Sequence, residues 1–312
     1  MTTANRPAAA GPPVYLATLG AMLCWSLSFI WTKVVYGCYR PLTVITLRLA
    51  LATALLWLVT RFLGPREAIA AGDRRHFLLL AFLEPFCYFL GESFGLLYVS
   101  SSVASVLVAT IPLATALAAV LLLRERLSRL TMAGLAVSFG GVALIALDGA
   151  SDWSASGRGF ALMALAVAAA AGYGLVLRRL SLRYSSLTVV RYQNMIGLLY
   201  FLPLFLLFDA GHFAAARPAS HQAMALVLLA VFPSTLAFVL LTTAVRALGI
   251  ARVNLFTYLI PALTAGFSFL LLDERFSAAK LAGMAVVIGG LLLSELRPLG
   301  RYTVDLISRF DR

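Results

Sequence analysis

The sequence predicts an all-helical (all-α) membrane protein of ten transmembrane helices, built as two inverted five-helix repeats. Three observations carry that expectation. The 312 residues are 62% hydrophobic and only 12% charged, and the mean hydropathy of +0.94 lies outside the range of soluble domains. Apolar stretches of about 20 residues, the length that crosses a hydrocarbon core of roughly 30 Å, recur along the whole chain. Finally, one stretch of the chain matches another 149 residues further on.

Apolar runs broken by charges and turn residues place the spans near 14–36, 43–63, 77–98, 101–123, 129–147, 158–180, 186–208, 222–246, 252–272 and 277–296. The implied organisation is an N-tail over 1–13, a first five-helix repeat over 14–150, a second over 151–296 and a C-tail over 297–312. No short apolar core with a small-residue cleavage site stands ahead of the first span, so no cleaved leader is expected.

The net charge of +12 would suggest nucleic acid in a soluble protein. Here the position of the charges matters more than their sum. With a cytoplasmic N-terminus, 17 Lys and Arg residues fall on the cytoplasmic side and six on the other, leaving Arg48 and Arg191 inside spans. That imbalance predicts both termini in the cytoplasm and an inner-membrane location, with the basic loops meeting anionic lipid headgroups rather than nucleic acid. Cys24, Cys38 and Cys87 are widely spaced and mostly within apolar runs, so they read as packing residues rather than as disulfides or metal ligands. No metal or other cofactor is expected.

Shifted by 149, Ile111 to Gly141 lies over Ile260 to Gly290 without a gap, and 16 of 31 positions are identical. The matched landmarks constrain backbone: Pro112 with Pro261, Glu125-Arg126 with Glu274-Arg275, Ser128 with Ser277, Gly134 with Gly283, and Gly140-Gly141 with Gly289-Gly290. Five spans separate each match from its partner. An odd number means that the two copies thread the membrane in opposite directions. A weaker echo at a shift of 145 sets Leu42-Thr43-Val44 on Leu187-Thr188-Val189, which extends the correspondence to spans 1–5 and 6–10.

With this doubled Pro, Glu and Gly-Gly pattern and the segment around Trp25, the chain resembles the drug/metabolite transporter superfamily, in its ten-helix EamA type. Arg124 and Asp273 stand where the family often has Gly, and Ser26 follows Trp25 where Gly is common. The resemblance implies a secondary transporter, an exporter in direction, working by alternating access around a cavity lined by spans 1, 3, 4, 6, 8 and 9. Inverted repeats suit that task, because exchanging the conformations of two halves opens first one side and then the other.

Pro112 and Pro261, near the centres of spans 4 and 9, each remove a backbone donor; they read either as packing kinks or as paired helix breaks at a binding site. Glu84, Tyr88 and Glu92 recur at i, i+4 and i+8 on span 3 as one polar stripe. A carboxylate at depth must face a wet cavity, pair with a cation or stay protonated. Arg48 on span 2 is the partner in the ion-pair reading, and Glu92 is the expected coupling residue in the functional one.

Trp25, Ser28, Phe29 and Thr32 at i, i+3, i+4 and i+7 give span 1 a mixed aromatic and hydroxyl face. Thr110, Tyr173, Ser234, Thr235, Asn254 and Tyr258 are further candidates for a cavity wall. Ala136 with Gly140, and Ala285 with Gly289, are small-xxx-small spacings that predict close helix approach within the fold or between protomers, the chain being a monomer or a homodimer. Glu125 and Glu274 read as capping or interfacial pairing residues.

The expected cargo is a small polar or zwitterionic metabolite, amino-acid-like or amine-like, with protons as a coupling partner, since an acid can pair with an ammonium group. No Gly-Lys-Ser phosphate loop points to ATP as the energy source. A passive channel or facilitator is the alternative. An intramembrane enzyme is disfavoured because His76, His212 and His221 all fall in or beside loops, away from any nucleophile at depth.

Overall fold

The computed structural model describes residues 12–62, 67–115, 117, 129–148 and 153–295. The expectations for Glu125, Arg126 and Ser128, for the C-tail and for the N-tail ahead of Pro12 lie outside the described residues. Five helices form the first half: α1 (Pro12–Val35), α2 (Pro41–Phe62), α3 (Ala71–Gly95), α4 (Ser101–Thr115) and α5 (Arg129–Asp148). The second half has α6 (Trp153–Arg183), α7 (Ser186–Phe208), α8 (Ser220–Leu248), α9 (Ile250–Phe256 with Leu259–Leu271) and α10 (Ala278–Glu295). Seven of the ten are long and apolar enough to cross a bilayer, and α4, α5 and α10 contribute shorter apolar helices.

Local chemistry sets the helix ends. Pro12 and Pro13 open α1, where a missing N–H leaves nothing unsatisfied. Ser100 and Ser185 cap α4 and α7 by accepting the backbone N–H of Val103 and Thr188. Gly249, at φ +83°, ends α8 in a conformation that only glycine adopts readily.

The most extensive helix pair is α5 with α10, the two copies of the 149-residue match. A Cβ on Gly134 would run into the Gly290 carbonyl, and one on Gly283, the counterpart of Gly134, would run into the Gly141 carbonyl. As the number rises from 134 to 141 on α5, its neighbour falls from 290 to 283 on α10, so the helices are antiparallel. At the middle of the crossing Ser138 Oγ donates to the carbonyl of Val287, its own counterpart, at 3.2 Å. The pseudo-two-fold axis that inverts one half onto the other runs through this pair.

The close-approach glycines are therefore Gly134, Gly141, Gly283 and Gly290, at seven-residue spacing. This corrects the expectation that the small-xxx-small pairs make the close approach within the fold. Ala136, Gly140, Ala285 and Gly289 are exposed, and a Cβ on either Gly140 or Gly289 would meet open space. A spacing of seven keeps residues on one seam of a nearly aligned helix pair, whereas the intervening small residues turn outward.

At the other side of the bundle α2 and α7 also run antiparallel, each capped by an acid from the opposite half. Asp209, after α7, accepts the N–H and hydroxyl of Thr43 in the first turn of α2 at 3.0 and 3.1 Å. Glu67, after α2, accepts the N–H and hydroxyl of Ser185 at the start of α7 at 2.9 and 3.0 Å. Carboxylates at helix N-termini meet both unpaired N–H groups and the positive end of the helix dipole.

Basic residues meet helix C-termini in the complementary way, here within each half. Lys33, late in α1, donates to the carbonyls of Leu96 and Val99 beyond α3; Arg178, late in α6, donates to those of Val245 and Arg246 at the end of α8. Lys33 and Arg178 are 145 residues apart, and so are Thr43 and Thr188. The weak sequence echo at that shift thus corresponds to a repeated set of helix-end contacts.

Candidate functional site

Besides the α2–α7 and α5–α10 pairs, four helices lose their regular geometry part-way along their length. In α3 the turn over Phe82–Cys87 widens, and Glu84 leaves helical conformation altogether (φ −146°, ψ 118°). Pro85 explains it: proline lacks the donor for the carbonyl four residues back and drives the preceding residue to extended backbone. The spacing of Glu84 to Tyr88 and Glu92 is therefore not that of a regular helix, although all three line one cavity. In α8 the turn over Phe232–Ala237 widens around Pro233 in the same way.

α4 is interrupted at Ala109–Thr110 and α9 at Thr257–Tyr258. Each interruption lies just ahead of Pro112 or Pro261, whose missing N–H orphans the carbonyl of Val108 or Thr257. The Thr257 carbonyl is met instead by the N–H of Ile260 at 3.0 Å.

A cavity of about 70 Å³, room for several ordered waters, lies where these breaks converge. Glu84, Tyr88, Phe89 and Glu92 line it from α3 and Arg48 from α2. Trp25, Ser28 and Phe29 reach it from α1, Tyr173 from α6, and Asn254, Thr257 and Ile260 from α9. The expected wall of spans 1, 3, 4, 6, 8 and 9 thus gains α2, through Arg48.

Three ionisable groups meet in this small space. Arg48 is 3% exposed, and Glu84 and Glu92 are each 7% exposed. Tyr88 donates its hydroxyl to Glu92 Oε1 at 3.0 Å. Arg48 Nε donates to Ser234 Oγ at 2.8 Å, and its guanidinium lies 4.2 Å from the centre of the Phe89 ring. Among the described residues no carboxylate lies within ion-pair distance of Arg48, so the Arg48–Glu92 salt bridge of the structural reading is not formed. Glu84 has no hydrogen-bond partner among the described residues.

Aromatic packing shapes the wall. Trp25 meets Phe238 edge-on at 5.5 Å between ring centres, and Tyr173 meets the same ring at 6.3 Å. Ser28 turns its hydroxyl to the Trp25 carbonyl at 2.7 Å.

Four sequence candidates stand elsewhere. Thr110 bonds the Leu107 carbonyl at 2.6 Å and borders a separate, mainly apolar cavity between α4, α5 and α6. Thr235 is buried behind the wall, its hydroxyl bonding the Ala230 carbonyl at 2.8 Å. Thr32 is buried in the packing of α1, and Tyr258 packs half-buried against the core. Pro112 and Pro261 are helix-break residues beside the cavity; neither borders it.

Two polar residues on α7 escaped the sequence reading. Gln193 accepts the Tyr173 hydroxyl on Oε1 at 3.1 Å, and Asn194 Nδ2 donates to the Ser234 carbonyl at 2.9 Å. Both side chains are buried, and Gln193 Nε2 and Asn194 Oδ1 have no partner among the described residues. The signal was present: adjacent amides in an apolar span are as unusual as a carboxylate there, and Gln193 sits 145 residues after Arg48.

At the end of the bundle where α1 and α3 finish, a second polar cluster joins both halves. Lys280 donates to Glu274 Oε1 at 2.6 Å and to Ser100 Oγ at 2.9 Å, while the Ser102 hydroxyl also donates to Glu274. Glu274 is thus an interfacial pairing residue.

The EamA-like transporter family model matches this chain twice, over residues 12–147 and 157–296, once for each five-helix half. The chain is 30% identical over 282 residues to a probable terminal-alkyne amino-acid exporter of Streptantibioticus cattleyicolor, covering 90% of this chain and 92% of that protein. It is 25% identical over 293 residues to the uncharacterized transporter YcxC of Bacillus subtilis, covering 91% and 93%. A solved crystal structure superposes with a TM-score of 0.68 at 19% identity, covering 91% of this chain and 98% of the other, which supports the fold. With the family matched across both halves and the inverted bundle in place, the chain belongs to the EamA-like transporters and is a multi-pass membrane protein that moves small molecules.

Proposed function

We propose that this chain is a secondary active exporter of a small zwitterionic, amino-acid-like metabolite, working by alternating access around the cavity at Arg48, Glu84 and Glu92. The observation that carries the reading is the charge layout of that cavity. A buried guanidinium whose Nη groups have no partner among the described residues faces two buried carboxyl groups. A free α-amino acid offers the complement, a carboxylate for Arg48 and an ammonium for Glu92. A purely anionic cargo would meet two acids, and a purely cationic one would leave Arg48 unpaired at depth, where an uncompensated charge costs on the order of 2.5–3.5 kcal/mol.

The amino-acid exporter among the relatives supports the same class and direction. The basic residues concentrated on one side support cytoplasmic termini in an inner membrane. Coupling to protons is assigned to the paired acids, since a carboxyl can exchange a proton for an ammonium.

A thermal-shift screen of metabolites on the purified protein tests the substrate class, because a ligand at a hundredfold excess over its Kd stabilises the folded state by about 2.7 kcal/mol. Free amino acids are expected to shift the melting temperature and to show saturable counterflow in proteoliposomes. A response restricted to anions or neutral sugars overturns the substrate class. Flux without saturation or counterflow makes the protein a pore.

A further inference from the structure

We propose that Ser234, backed by Asn194, positions Arg48 as an end-on fork for a carboxylate and thereby makes the site selective for cargo with a free carboxylate. The inference rests on the reading above and adds residues from the second half of the chain that determine its specificity.

Arg48 belongs to α2 of the first repeat, and its long side chain has many rotamers. Two contacts restrict it. Phe89 lies under the guanidinium at 4.2 Å, and Ser234 Oγ accepts Nε–H at 2.8 Å. With Nε occupied on the protein side, the donors left for the cavity are those on Nη1 and Nη2, whose paired end-on geometry matches the two oxygens of a carboxylate. Among the described residues no acceptor occupies them.

Ser234 is itself held. It is fully buried in the wide turn of α8, directly after Pro233. Asn194 Nδ2 fixes its carbonyl from α7 at 2.9 Å. Thr235 next to it bonds the Ala230 carbonyl of its own helix, the kind of local bond a hydroxyl on a membrane helix commonly makes. The Ser234 hydroxyl instead faces Arg48. The bond therefore crosses between the repeats, from the break in α8 to a cavity group of the first half. Phe89 and Ser234 thus hold the guanidinium from two sides.

The test uses purified full-length protein and two defined probe pools, the twenty proteinogenic L-amino acids and their α-carboxamides, which keep the ammonium and lose the carboxylate. In wild type the acids are expected to bind at least tenfold more tightly than the matching amides. Ser234→Ala should weaken binding of the acids about tenfold and leave that of the amides unchanged, and Ser234→Thr, which keeps the hydroxyl, should restore the preference. Arg48→Lys keeps the charge but loses the fork, and should abolish the preference if Ser234→Ala proves too unstable to assay. Equal weakening of both pools in Ser234→Ala, or no preference in wild type, overturns the proposal while the transporter reading stands. Failure of both pools to bind overturns the amino-acid reading together with it.

Discussion

Tyr88 and Glu92 are joined by a 3.0 Å hydrogen bond one turn apart on α3, and Arg48, the nearby cation, is bound to Ser234 rather than to the acid. Glu92 is thus held by a neutral donor that leaves its carboxyl facing the cavity. Glu92→Gln should reduce transport at least tenfold and flatten its pH dependence, while folded yield by size-exclusion chromatography stays near wild type. Tyr88→Phe should show a weaker loss. Because Arg48 and Glu92 are not paired, the double variant Arg48→Gln/Glu92→Gln should not recover folded protein relative to the singles. Recovery would restore the ion-pair reading.

The α5–α10 seam makes a prediction by contrast. Gly134→Val or Gly283→Val inserts bulk against backbone of the partner helix, and overpacking of this kind destabilises by about 1–3 kcal/mol. Gly140→Val and Gly289→Val meet open space and should melt within a degree or two of wild type in detergent. Equal destabilisation by both pairs would place the close contact on the outer stripe.

The cluster at Glu274 has a defined acid limit. Burial alone would raise this carboxyl, but hydrogen bonds from Lys280, Ser100 and Ser102 and the Lys280 charge outweigh it and hold the group below its ordinary 4.5. A carboxyl depressed by folding adds stability that is fully present above the ordinary value and is lost as pH falls through the lowered one. The melting advantage of wild type over Glu274→Gln should therefore be constant across neutral pH and shrink only below about 4.5. An advantage that peaks in acid would mean that the cluster holds a protonated Glu274.

Topology can be read with reporters. The 17 to six distribution of basic residues predicts that fusions after Arg312 and in the loop near 68–72 both report a cytoplasmic position. A C-terminal reporter on the far side would contradict an even number of spans with a cytoplasmic N-terminus.

Much of the bundle was legible before any coordinates. Hydropathy marked ten spans, with starts shifted in places: α3 begins at Ala71 rather than near 77, and α6 at Trp153 rather than near 158. The internal match at 149 residues, with an odd number of spans between the copies, announced the inversion seen at Gly134 and Gly283. Glu84, Glu92 and Arg48 drew notice because a charge in an apolar span needs a reason, and the structure sets all three on one cavity. Gln193 and Asn194 carried a similar, fainter signal that passed unread.

The composition, the span pattern and the repeat determined by themselves that this chain crosses a membrane ten times as two inverted halves, because hydrocarbon rejects charge and unpaired backbone wherever they stand. Which face of each helix turns inward was decided only by the tertiary structure. Lipid and protein interior are both apolar, so hydropathy does not distinguish Gly134 from Gly140, or a wall residue such as Asn254 from Tyr258. That choice belongs to shape and to pairwise contacts between distant segments: carbonyls that tolerate no Cβ at Gly134 and Gly283, a proline that pushes Glu84 out of helical geometry, and a serine of the second half that holds an arginine of the first.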